Sequence, residues 1–141
     1  MAKVKDLVKN RQTHTVQDHQ TVLEAAKFMV ERNIGAVPVL REGKLVGIFS
    51  ERDIMKRVVA EARDPRTTKV SEIMTKDPVT VTPESTDEQC MVLMRDHSCR
   101  HLPVCEDKKL WGLISLRDLL AHHVEEKEEE ARHLKAYIHS S

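Results

Sequence analysis

Val37-Pro38-Val39 followed by Leu45-Val46-Gly47-Ile48-Phe49-Ser50-Glu51-Arg52-Asp53 returns later as Leu102-Pro103-Val104 followed by Leu110-Trp111-Gly112-Leu113-Ile114-Ser115-Leu116-Arg117-Asp118. The separation is 65 residues at the prolines, the glycines and the aspartates, with no gap between them. Two copies of one supersecondary unit at so long a period are expected to pack on each other. Each copy spans only about 55–60 residues and would be marginal alone, because so short a unit buries too little surface. The chain is therefore expected to fold as two halves around a shared interface, with any site in one half echoed in the other.

Charge and composition remove several functions. In 141 residues, 23 Lys and Arg balance 23 Asp and Glu, whereas nucleic-acid binders ordinarily carry a basic excess. Trp111, Tyr137, Phe28 and Phe49 are the whole aromatic complement, too little for a platform that stacks bases. No apolar run approaches the ~18 residues of a membrane span, and Met1-Ala2-Lys3-Val4-Lys5-Asp6 lacks the apolar stretch of a secretory signal. No nucleic-acid or membrane partner is expected, and the cytoplasm is the expected compartment. Three cysteines, an odd number, suit a reducing environment better than a disulfide framework. Cys90, Cys99 and Cys105 fall opposite Ala25, Ile34 and Leu40 of the first copy, so they read as small buried hydrophobes. A ligand set of His97, Cys99, His101 and Cys105 lacks the paired spacing that zinc sites favour, and no metal is expected.

Each copy reads as strand, helix, strand, strand, helix. Thr21-Val22-Leu23-Glu24 has the form of a capping box, as does Thr86-Asp87-Glu88-Gln89 at the same offset. Apolar groups at helical spacing follow each start, and Asn33 with Gly35 ends the first helix. Two short apolar runs, 36–40 and 45–49, flank Arg41-Glu42-Gly43-Lys44, a hairpin turn with a glycine for positive φ. The second copy's turn, Glu106-Asp107-Lys108-Lys109, has no glycine, which predicts a different hairpin geometry. Short strands are expected near His14–Val16 and over Pro78–Val81, and helices begin at Ser50 and Ser115. Val4–Val8 and Val70–Met74 read as short helical turns leading each copy. The expected boundaries are 4–60 for the first repeat, 61–69 for a polar linker, 70–122 for the second repeat and 123–141 for a charged terminal helix. On that helix Leu120, Val124, Ala131, Leu134 and Ile138 form a stripe, open to two readings: a docked or exposed terminal helix, or a seam between two copies.

Chemistry concentrates at the two strand-to-helix turns. A helix N-terminus offers unpaired N–H groups and partial positive charge, which suit phosphate. Ser50 and Ser115 add hydroxyls, and Arg52 and Arg117 add forked donors for phosphate oxygens. Asp53 and Asp118 would repel phosphate, but a carboxylate accepts from the two adjacent hydroxyls of a ribose, as in dinucleotide folds. The same Ser-x-x-Asp pattern is also an ordinary N-capping pair, and the residues alone leave both readings open.

The hydrophobic-Pro-Val strands, the Leu-Val-Gly-Ile and Leu-Trp-Gly-Leu strands, the Ser-x-x-Asp turns and the leads ending Asp6-Leu7-Val8 and Glu72-Ile73-Met74-Thr75 together resemble a tandem pair of cystathionine-β-synthase (CBS) domains, the arrangement called a Bateman module. The resemblance covers about residues 4–122. It implies an α/β (α+β) fold of two β-α-β-β-α repeats packed sheet to sheet with pseudo-two-fold symmetry, plus the C-terminal helix. It also implies two clefts for adenosine-containing ligands: AMP foremost, with ADP, ATP, NAD or S-adenosylmethionine as alternatives. Under it, Asp53 and Asp118 hold ribose, and Ser50 and Ser115 hold ribose or phosphate. Gly35, Ala36, Val37 and Pro38, with Arg100, His101, Leu102 and Pro103, line base and phosphates. Arg52, Arg117, Thr75 and Thr80 complete the expected set. Arg100 and His101 would arm the cleft of Asp118, so that cleft is expected to bind phosphate more tightly. Lys56 and Arg57 read equally as phosphate contacts or as a solvated face.

The chain has no Gly-x-Ser-x-Gly elbow, P-loop or His-Glu-x-x-His, and it is not expected to be an enzyme. The expected function is a regulatory module that senses an adenine nucleotide, forms a homodimer and modulates a separate, unidentified protein. The alternative is a dimerisation module that works without a ligand.

Overall fold

A computed structural model of the chain describes residues 2–140. The elements follow in order as α1 (Val4–Val8), β1 (Val16–Gln17), α2 (Val22–Arg32), β2 (Ala36–Arg41), β3 (Lys44–Ser50) and α3 (Glu51–Asp53), which continues as a π-helical stretch over Ile54–Val59. The second half supplies α4 (Val70–Ile73), β4 (Thr75–Lys76), α5 (Asp87–His97), β5 (His101–Glu106), β6 (Lys109–Ser115) and α6 (Leu116–Ser140). One sheet runs β1-β2-β3-β4 and the other is β5-β6. The two sheets meet along β3 and β6, where Leu45 N donates to Lys108 O at 3.4 Å.

Local chemistry sets the helices as the sequence predicts. Thr21 Oγ1 accepts from Glu24 N at 3.1 Å. Thr86 and Gln89 form the reciprocal capping box, with Gln89 N donating to Thr86 Oγ1 at 3.2 Å and Thr86 N to Gln89 Oε1 at 2.9 Å. The left-handed residues Asn33 and Ser98 close the two helices.

The strands are less equal. β1 pairs in parallel with β2 through Val16↔Val39 and Gln17↔Leu40, and Asp18 N extends the ladder to Leu40 O at 3.1 Å. The strand expected over Pro78–Val81 contracts to one bridge, Val81↔Val104. Proline explains why pairing stops at Val81: the residue corresponding to Asp18 is Pro83, which has no N–H with which to carry the ladder further.

The hairpins correct another expectation. Both have the same register, closing at Arg41↔Lys44 and Glu106↔Lys109. Both turns hold two residues at positive φ: Glu42 (51°) with Gly43 (78°), and Asp107 (50°) with Lys108 (65°). This is the type I′ geometry that matches strand twist, and the sheet imposes it whether or not a glycine is present. A lysine held there costs roughly 1–2 kcal/mol. Lys108→Gly is thus expected to stabilise the fold by about 1 kcal/mol, read as a higher urea midpoint at constant m-value. An unchanged or lower midpoint would contradict the strain.

Tertiary packing exchanges the lead helices. Val4 and Val8 of α1 are buried with Val81, Cys90, Leu102, Val104 and Ile114 of the second copy. Val4 N donates to Ser85 O at 2.8 Å and Lys5 N to Pro83 O at 3.0 Å. Reciprocally, Val70, Ile73 and Met74 are buried with Val16, Val22, Val37, Val39 and Phe49 of the first copy. Val70 N donates to Gln20 O at 2.8 Å and Ser71 N to Asp18 O at 3.0 Å. Each apolar core is therefore completed by the lead of the other repeat, and neither half closes its core alone.

Candidate functional site

Each Ser-x-x-Asp turn forms at the junction of a central strand and the next helix. Ser50 Oγ accepts from Asp53 N at 3.3 Å, while Asp53 Oδ2 accepts from Ser50 N at 3.0 Å and from Ser50 Oγ at 3.1 Å. Thr75 Oγ1, from β4 of the other repeat, donates to Asp53 Oδ1 at 3.2 Å, and Asp53 is buried. In the second copy, Asp118 N donates to Ser115 Oγ at 3.0 Å and Ser115 N donates to Asp118 Oδ2 at 2.9 Å. Arg11 reaches the same Oδ2 at 2.9 Å. Both aspartates therefore perform the capping role, and both also border a cavity.

The cavities are crossed. One, of about 670 Å³, joins Ser50, Arg52 and Asp53 to Thr75, Asp77, Pro78 and Val79, and to His97, Ser98, Cys99, Arg100 and His101 of the second copy. The other, of about 280 Å³, joins Ser115 and Asp118 to Arg11, Gln12, Thr13 and His14, and to Ile34, Gly35 and Ala36 of the first copy. Gly35 and His101 border both. They can do so because each strand start lies beside a helix start: Glu51 N donates to Gly35 O at 3.0 Å, and Leu116 N to Arg100 O at 2.8 Å.

This arrangement corrects the expected pairing of Arg100 with Asp118. Arg100 lines the cleft of Asp53, and Arg11 takes the cationic place beside Asp118. The larger cleft carries two arginines and two histidines together with the carboxylates of Glu51, Asp53 and Asp77, so its advantage lies in its volume and in its second guanidinium donor. Small-molecule sites span roughly 300–1,000 Å³, a range that includes the larger cleft and just exceeds the smaller.

Several expected site residues lie elsewhere. Val37 and Leu102 are completely buried core residues, and Pro38 and Pro103 are buried between them and the neighbouring strand positions. Thr80 borders a separate groove with Thr82, Ser85 and Gln89. Arg117 is exposed and lines neither cleft. Arg57 donates to the carbonyls of Ile73 at 3.1 Å and Met74 at 3.0 Å, capping the end of α4. Sequence reasoning missed Arg11–His14 and Asp77–Val79. Their signal was available, since the two segments stand at matching positions before the first strand of each repeat, but they carry no motif of their own.

Electrostatics distinguishes the clefts further. Burial acts to raise the Asp118 carboxyl, yet the Arg11 guanidinium and the Ser115 N–H and hydroxyl outweigh it and hold the group below the usual carboxylate range. Burial depresses the His101 imidazole despite the opposing pull of Asp118 and Glu51, and Arg100 adds to the lowering. A histidine depressed in the folded state lets the unfolded chain bind the proton first, so stability falls as pH drops below about 6.5. The loss of stability between pH 7.5 and pH 5.5 in urea melts is expected to shrink in His101→Gln. An equal loss in both proteins would remove His101 from that dependence.

The cysteines are partly as expected. Cys90 is completely buried, and burial, with Asp87 adding, pushes its thiol up to about 11. Cys99 and Cys105 are half-buried, with thiols raised mainly by burial. Among the described residues, His97, Cys99, His101 and Cys105 do not converge as a metal-ligating group. No described helix is long and apolar enough to cross a membrane.

Known proteins share this architecture. A family model for the CBS domain matches residues 4–60 and again 70–125. The chain is 40% identical over 119 residues to the CBS domain-containing protein YhcV of Bacillus subtilis, with 84% of each chain covered. It is 40% identical over 123 residues to the mitochondrial CBS domain-containing protein CBSX3 of Arabidopsis thaliana, covering 84% of this chain and 60% of that one. A CBS-domain protein from Burkholderia ambifaria superposes with a TM-score of 0.83 at 37% identity, covering 88% of this chain and 95% of its own. Duplicated turns, exchanged leads and matched repeats lead to one assignment: the chain belongs to the CBS-domain family, as a tandem pair of the kind that serves as a regulatory module.

Proposed function

We propose that the chain senses an adenosine-containing nucleotide, AMP foremost, with ADP, ATP, NAD and S-adenosylmethionine as the related ligands, and passes its occupancy to a partner protein. The observation that carries this reading is the crossing of the clefts. Each Ser-x-x-Asp turn faces the strand start of the other repeat, so a ligand bound there touches both halves and couples their relative position to occupancy. In the larger cleft, Asp53 supplies a carboxylate for sugar hydroxyls, while Arg52 and Arg100 supply donors for phosphate.

A thermal-shift series with AMP, ADP, ATP, NAD and S-adenosylmethionine tests it. A ligand at 100 times its Kd stabilises by about 2.7 kcal/mol, which for a domain of this size is about 5–10 °C in Tm. Phosphate beside the half-buried His101 favours its charged form, so AMP is expected to bind with more proton uptake in the parent than in His101→Gln. Calorimetry in buffers of different ionisation enthalpy reads that difference.

A second reading, a ligand-independent dimerisation module, is favoured by two observations. The carboxylates of Asp53 and Asp118 already cap their own helices. Leu120, Val124 and Leu134 of α6 are also exposed in one stripe. No shift with any of the five compounds, together with a dimer that Leu134→Lys dissociates in analytical ultracentrifugation, would select it.

A further inference from the structure

Beyond Leu119, α6 leaves the body of the protein, and every residue from 120 to 139 is exposed except His122 and Glu126. These two sit one turn apart and are the last to pack against the fold, where a docked helix ordinarily presents apolar groups. Asp87, in the first turn of α5, meets them. The ligating atoms of Asp87, His122 and Glu126 all lie within 4.8 Å of one another.

The second observation concerns the imidazole itself. His122 Nε2 is sealed from solvent and makes no hydrogen bond among the described residues. It stands 2.6 Å from Glu126 Oε1 and forms an ion pair with it only when the ring is protonated. A buried nitrogen and a carboxylate oxygen brought this close are stabilised by a cation that touches both.

We propose that Asp87, His122 and Glu126 form a divalent metal site, with zinc as the fitting ion. One imidazole nitrogen and two carboxylate oxygens leave a fourth tetrahedral position for water, and zinc accepts this donor set at about 2.0–2.2 Å. Ligands at that distance stand roughly 3.3–3.5 Å apart, so His122 and Glu126 open from 2.6 Å while Asp87 approaches, by small side-chain rotations. The site belongs to the second repeat alone: the positions opposite Asp87 and His122 are Val22 and Arg57. Ligand spacing in the sequence could not show it, because Asp87 and His122 are 35 residues apart and converge only when α6 lies across α5. An ion there ties the base of the projecting helix to the start of α5.

Protein stripped with EDTA and titrated with zinc chloride alone is expected to bind about one equivalent, with a rise in Tm. His122→Asn and Glu126→Gln should each weaken binding at least tenfold, while their melting in EDTA stays close to the parent's. Cobalt substitution should give a spectrum without thiolate charge-transfer bands, which separates this site from Cys99 and Cys105. No zinc binding, binding unchanged in both variants, or a thiolate-type cobalt spectrum would each overturn the proposal. Should His122→Asn fail to fold, Glu126→Gln decides, since that side chain is 42% exposed.

Discussion

Asp53→Ala is expected to weaken AMP binding by a factor of 10² or more, and Asp118→Ala to do so by less. Hydrogen bonds to a charged acceptor contribute about 1.5–3 kcal/mol each, and a carboxylate gripping two sugar hydroxyls loses both. The ranking follows from space and from the number of guanidinium donors. The cleft of Asp53 holds about 670 Å³ and carries Arg52 and Arg100, against about 280 Å³ and Arg11 in the cleft of Asp118. Asp53 also caps α3 and accepts from Thr75, so Asp53→Ala should cost about 1–2 kcal/mol of stability as well. Asp53→Asn separates the effects, because the amide oxygen retains the acceptor for Ser50 N while the charge is lost. Calorimetry with AMP on all three variants is the measurement. A larger loss from Asp118→Ala would invalidate the cleft ranking, and unaltered affinity in both alanine variants would leave the aspartates as caps only.

Gly47→Val should destabilise the fold by about 3 kcal/mol or more. A Cβ at Gly47 would lie 2.7 Å from Met74 Sδ and 2.8 Å from Thr75 O. The thioether can move, but the carbonyl belongs to β4, which pairs with β3 through Gly47↔Lys76 and Ile48↔Thr75. The substitution must therefore push β4 off the sheet edge and take Thr75 away from Asp53. Gly112 is the internal control at the same place in the repeat. Its Cβ would come only to 3.3 Å from the Val8 side chain, so Gly112→Val should cost less, about 1–2 kcal/mol. Urea midpoints compare the two. Equal losses would show that close approach of β4 is not what requires glycine at position 47.

How much was legible from residues alone depended on the range of the interaction. The capping boxes at Thr86 and Ser50 close within three residues, and those elements lie where the sequence placed them. The hairpin over Asp107–Lys108 was misjudged because a turn residue's preference, of order 1–2 kcal/mol, is weaker than the pairing of two strands already docked in the core. The missing strand near Val81 was legible in principle: Pro83 has no donor where Asp18 has one. The cleft composition was a different matter, since nothing in Arg100 or Arg11 states which aspartate it will face.

The repeat, the order of its elements, their caps and the two Ser-x-x-Asp turns can be read from the residues, because each rests on neighbours a few residues apart or on an echo 65 residues away. That α1 completes the second core and α4 the first, and with it which side chains share a cleft, emerges from long-range packing. Two similar halves related by a pseudo-two-fold axis present similar apolar faces to either lead helix. Hydrophobic burial alone barely distinguishes the exchanged from the unexchanged packing, and the choice falls to chain connectivity and to backbone bonds such as Val4 N to Ser85 O and Val70 N to Gln20 O.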